Sequence, residues 1–95
     1  MASLFWNSHR RDTDEIGQVK AAIERALSEI GFSEVGRGDL EVFGVRGGVV
    51  VSIAHFPIGG RSFFEVVMAS GDSGDVTKNT RDEVVNKVRS IQFID

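Results

Sequence analysis

Few side chains in this 95-residue protein do chemistry near neutral pH: there are two histidines and no cysteine. His55 is the one inside a predicted element, with the turn residues Pro57-Ile58-Gly59-Gly60 close behind it and Arg61 and Ser62 following. An imidazole can act as base, metal ligand or switch, and a histidine facing a serine is the start of a nucleophile and base pair. No acidic residue is placed by local spacing to orient that ring. Arg61, after two glycines, could complete an anion site with backbone N–H groups of the turn. His55, Ser62 and Arg61 therefore define an alternative pocket, for a small molecule or for catalysis.

The second candidate is Ser70-Gly71-Asp72-Ser73-Gly74-Asp75. Its Gly71-Asp72-Ser73-Gly74 resembles part of the nucleophile signature of chymotrypsin-like serine proteases. Those enzymes need two β-barrels to bring a distant histidine and aspartate to the serine, this chain is too short for them, and Asp75 stands where the family has a further glycine. The segment also lacks the alternating ligands and terminal glutamate of a calcium loop. Its plain reading is a polar connection into a helix. No metal or cofactor is expected, and the chain reads as a binder more than an enzyme.

The elements that position these residues begin with two turns. Gly47-Gly48 is a two-residue loop suited to positive φ, the signature of a tight hairpin. It sets Arg46 opposite Val49, Val45 opposite Val50, Phe43 opposite Ser52, Val42 opposite Ile53 and Leu40 opposite His55. Pro57-Ile58-Gly59-Gly60 reads as a four-residue loop, because proline cannot donate to a ladder. Phe56 then faces Arg61, Ile53 faces Phe64, Val51 faces Val66 and Val49 faces Met68.

Side chains alternate along a strand, so this register assigns a face to every residue. Leu40, Val42, Gly44, Val49, Val51, Ile53, His55, Ser62, Phe64, Val66 and Met68 share the expected core face. The opposite face collects Glu41, Phe43, Val45, Val50, Ser52, Ala54, Phe63, Glu65 and Val67. A solvated antiparallel face alternates more cleanly toward polar residues. The apolar set Phe43, Val45, Val50, Phe63 and Val67, rimmed by Glu65, Glu41 and Arg61, is thus the expected interface.

Two helices bracket the meander. Ile16, Val19, Ile23, Ala26, Leu27 and Ile30 recur at helical spacing. Asp12 with Glu15 makes a capping-box-like start, Thr13 is an alternative cap, and Gly31 followed by Phe32 marks the end. The second helix carries Val84, Val88 and Ile91, capped by Asn79 or Thr80, or begins near Asp75 if Val76 joins its stripe. Phe32 to Gly36 is a candidate short strand and Gln92 to Ile94 a candidate edge addition. Residues 1–11, with Leu4-Phe5-Trp6, are expected to form a tail that folds over the sheet or stays disordered, and residues 12–95 a single domain.

The fold class is α+β: a two-layer sandwich of helix, three- to four-stranded antiparallel meander and helix, with both helices on one sheet face. Apolar residues at 41% and charged residues at 26% are ordinary globular values. A net charge of −3 argues against nucleic acid as a partner. No apolar run is long enough for a membrane span, and without cysteine or a secretory leader the expected location is cytoplasmic. The order of elements resembles the first part of small acidic type III secretion chaperones, an architectural likeness that implies dimerisation and the wrapping of partner segments. The expected function is a non-enzymatic interaction module whose partner is a second copy of itself, or else another protein.

Overall fold

The computed structural model describes residues 3–13 and 15–91. Its elements are β1 (Ser3–Arg11), α1 (Ile16–Glu29), β2 (Ser33–Arg37), β3 (Glu41–Arg46), β4 (Val49–Gly59), β5 (Ser62–Gly71) and α2 (Gly74–Arg89). The strands form one five-stranded antiparallel sheet in the order β1-β5-β4-β3-β2. Val19, Ile23 and Leu27 of α1 and Val84, Val85 and Val88 of α2 pack with Val42, Val51, Ile53, Phe63 and Val67 of the sheet into one core. The opposite sheet face carries no helix among the described residues. The expected bracketed meander is therefore a larger sheet: β1 precedes α1 and lies at the far edge from β2.

The N-terminal tail is the first correction. Residues 3–11 form an edge strand paired with β5 from Ser3 opposite Gly71 to Arg11 opposite Phe63. Its burial alternates residue by residue. The inward set is Ser3, Phe5, Asn7, His9 and Arg11, mostly polar, so a search for apolar periodicity passes over it. The expected edge strand at Gln92 to Ile94 lies outside the described residues.

Helix α1 ends as its glycine requires. Gly31 has φ +92°, its N–H donates to the Ser28 carbonyl at 3.2 Å, and the Phe32 N–H reaches back to the Leu27 carbonyl at 3.0 Å. That pair of bonds is a Schellman closure, with buried Phe32 and Leu27 as its hydrophobic contact. At the other end the capping box does not form. Thr13 Oγ1 accepts from the Glu15 N–H at 3.2 Å, while Asp12 accepts from Arg10 at 2.7 Å and Ser62 at 2.9 Å. Helix α2 begins at Gly74, earlier than Asn79 or Thr80, because Ser73 caps it by accepting from the Val76 N–H at 3.3 Å. The serine of the protease-like tetrapeptide is thus a helix cap.

The register of the second hairpin is the other correction. The β3–β4 pairing is the expected one, with Val45 opposite Val50 and Val42 opposite Ile53. In β4–β5, however, Ile53 faces Val67 and not Phe64, a slip of three residues. An odd slip exchanges the two faces of a strand. Phe63, Glu65, Val67 and Ala69 turn inward, and Phe64, Val66 and Met68 turn outward. The cause is Pro57. The His55 N–H donates to the Leu40 carbonyl at 2.7 Å, so His55 directs its backbone groups toward β3. Two residues on, position 57 points to the same side. There β3 has ended, since its pairing stops at Glu41 opposite Ala54. No donor is needed at that free edge, which is where a strand tolerates proline. β4 therefore runs on to Gly59, through an irregularity between Pro57 and Gly59, and the turn tightens around Gly60 and Arg61.

Candidate binding face and buried polar cluster

The helix-free face is built from the outward residues of the sheet. Register places them in lateral rows: Leu4, Ser70, Val50 and Val45; then Trp6, Met68, Ser52 and Phe43; then Ser8, Val66, Ala54 and Glu41; and finally Arg10, Phe64 and Phe56. Leu4, Trp6, Val50, Phe56 and Phe64 each keep between 44% and 65% of their surface in water. Phe43, 40% exposed, lays its ring over Gly36, where an added Cβ would come within 2.9 Å of it. Large apolar side chains are thus gathered on one exposed face.

Of the residues expected there, Phe43, Val45 and Val50 are on this face. Phe63 and Val67 are not; they are 1% and 0% exposed in the core beneath the helices. Glu65 is not a rim residue either, being fully buried. Arg61 sits in the β4–β5 turn. The residues that replace them, Leu4, Trp6, Phe56, Phe64 and Met68, were hidden by the slipped register and by the unrecognised first strand. Alternating Leu4, Trp6, Ser8 and Arg10 in a nine-residue segment was the available signal.

The other constellation lies on the helix side. His9 faces Glu65 across β1–β5, and His55 faces the same Glu65 across β5–β4, so the three make one transverse row. Glu65 Oε1 accepts from His9 Nε2 at 2.6 Å and from Arg11 Nη2 at 2.9 Å. Oε2 accepts from His55 Nε2 and Arg11 Nε, each at 3.1 Å. His55 Nδ1 meets the Leu40 carbonyl at 3.0 Å. Both ring nitrogens thus face an oxygen acceptor. The Phe63 ring makes a T-shaped pair with it, centroids 5.3 Å apart.

Arg11 also donates to the carbonyls of Val88 at 3.0 Å and Ile91 at 2.8 Å, placing a positive charge at the C-terminal end of α2. The cluster thereby fastens β1, β4, β5 and α2 together. Burial pushes the Glu65 carboxyl up, but hydrogen bonds from His55 and Arg11, with their charges, outweigh it and hold the group below its ordinary value. For His9, burial is the largest influence and lowers its pKa, against the opposing charge and hydrogen bond of Glu65.

The expected His55–Ser62 pair does not exist. His55 is 0% exposed and bound to Glu65 and Leu40, while Ser62 accepts from Arg10 Nη2 at 3.0 Å and donates to Asp12. A shallow cleft of about 410 Å³ opens between the helices, lined by Ala22, Arg25, Glu29, Lys87 and Ser90 among others, and by none of the pocket residues expected from the sequence. Compared with known proteins, the chain matches no family model and no curated sequence.

Proposed function

We propose that this protein is a non-enzymatic cytoplasmic binding module that pairs with a second copy of itself through the helix-free face of its sheet. The observation that supports this is the apolar surface running across all but the last edge strand, from Leu4 and Trp6 on β1 through Phe64, Val50 and Phe56 to Phe43 on β3. Four strands about 4.8 Å apart, over about six residues of shared length, span about 400 Å² in projection. Two such faces stacked bury about 800 Å² or more, the range of a weak, concentration-dependent interface. Charged residues on the face, Arg10 and Glu41, lie toward one end of the rows, where they can set orientation at the rim. A soluble self-complementary face most often closes as a two-fold dimer.

Light scattering on the wild-type protein at tens of micromolar is expected to give twice the chain mass. Val50→Asp, a change at a half-exposed position on the central strand, is expected to give a monomer with an unchanged circular dichroism spectrum. A wild-type protein that remains monomeric at high micromolar concentration, or a Val50→Asp protein that stays dimeric, overturns the proposal.

A further inference from the structure

Strand β1 does two things with its alternating faces. Leu4 and Trp6 point outward into the apolar face, and His9 and Arg11 point inward onto Glu65. We propose that His9 is a pH-operated latch: its neutral ring holds the edge strand β1 against the sheet, and its protonation releases β1 and withdraws Leu4 and Trp6 from the face.

The geometry of the ring carries this. Nε2 lies 2.6 Å from a carboxylate oxygen and must donate to it. In the neutral ring Nδ1 is then a bare acceptor. That nitrogen is buried and has no hydrogen-bond partner among the described residues. A second proton can enter only at Nδ1, where it becomes a buried donor with nothing to accept it.

Among the surrounding charges Glu65 favours protonation of His9, while Arg89 and Arg11 oppose it. Glu65 is the acid facing His9, and it already accepts from Arg11 on β1 and His55 on β4. Arg89 on α2, which reaches Asn7 Oδ1 at 3.2 Å, adds further positive charge. A protonated His9 thus joins a cluster whose one carboxylate is already matched. The lowered pKa of His9 agrees with that cost.

As an edge strand, β1 is held by a sheet partner on one side only. Beyond that pairing it is tied to Glu65 and to the Val88 and Ile91 carbonyls by Arg11, and to α2 by Arg81 on the Trp6 carbonyl at 2.9 Å and Arg89 on Asn7. Being at an edge, it can leave without breaking any other strand pairing of the sheet.

Only the withdrawal of Leu4 and Trp6 from a partner rests on the dimer proposal; the latch itself is tested on dilute monomer. Trp6 is the sole tryptophan and lies on β1, so its fluorescence reports that strand directly. Amide exchange of β1, corrected for intrinsic rates and compared with β3 and β4, is expected to accelerate as pH falls below 6.5, by up to about tenfold per pH unit for one proton taken up on opening. His9→Gln retains a donor to Glu65 and cannot titrate, so it is expected to flatten that dependence while Trp6 emission stays native. Where the variant does not fold, the wild-type His9 ring titrated by NMR decides. Titration below 6.5 in step with the β1 signals supports the latch. Titration at or above that value, an unchanged slope in His9→Gln, or exchange of β1 in step with β3 and β4 at every pH overturns it. Light scattering across the same pH range then reads the dimer separately.

Discussion

Adjacent phenylalanines on β5 offer a direct test of the register, because the two side chains are identical and only their faces differ. Phe63 is 1% exposed, packs in the main core and pairs with the His55 ring; Phe64 is 44% exposed on the helix-free face. Truncating a fully buried phenylalanine costs about 3–5 kcal/mol, counting both the lost transfer energy and the cavity. Phe64 keeps nearly half its surface in water, and a partly covered ring of this kind hides about 100 Å², worth about 1–2 kcal/mol after discounting the compactness of the unfolded chain. For a domain of this size each kcal/mol moves Tm by about 4–8 °C. Phe63→Ala is therefore expected to lower Tm by at least about 12 °C, and Phe64→Ala by about 4–16 °C. Thermal unfolding followed by circular dichroism separates the pair, with association measured at a temperature where both are folded. Phe64→Ala should also weaken self-association, while Phe63→Ala should not. If Phe64→Ala proves the more destabilising, β5 is out of register by an odd number of residues and the face assignments here are wrong.

Acid should destabilise the fold in two stages. The folded-state pKa of His9 lies below its ordinary 6.5 and that of Glu65 below its ordinary 4.5, so each contributes stability that is full above its unfolded value and lost as pH falls through its folded one. Urea midpoints measured from pH 8 to 3 are expected to decline first below 6.5 and again below 4.5; a midpoint that rises on acidification contradicts the cluster as described. Glu65→Ala leaves Arg11 without its counter-charge and His55 Nε2 without its partner, at a cost of about 3–5 kcal/mol in urea unfolding. A loss under 1 kcal/mol would mean that water reaches the site. Ser73→Ala removes the cap of α2 and is expected to cost about 1 kcal/mol with the dimer unaffected, as read by thermal melting and light scattering.

Much of the secondary structure was legible in the residues alone. The i, i+3, i+4 stripe from Ile16 to Leu27, the Gly31-Phe32 stop and the Gly47-Gly48 hairpin each depend on neighbours within a few residues, and each appears as read. Ser73 as a cap was within reach once Val76 was allowed into the helix. Part of the apolar face, Phe43, Val45 and Val50, followed from the first hairpin.

The second hairpin did not, because Pro57 is ambiguous locally. A proline ends a strand when its missing N–H faces a neighbour and is tolerated when it faces open space. Which holds depends on where β3 stops, at Glu41, sixteen residues earlier in the chain. That one fact decides whether Phe63 or Phe64 is core, and whether Glu65 is a rim charge or a buried one.

Short-range physics accounts for an α+β chain, two amphipathic helices, one hairpin register and a sheet with apolar residues to spare. That residues 3–11 are a strand follows only from long-range pairing, since their inward side chains are mostly polar, and His9 and Arg11 acquire a reason to be buried only when Glu65 is there to receive them. His9, His55 and Glu65 are separated by 46 and 10 residues in sequence and become one row only through the pairing of β1, β5 and β4. Buried charges are stable only in company, and the sheet assembles that company.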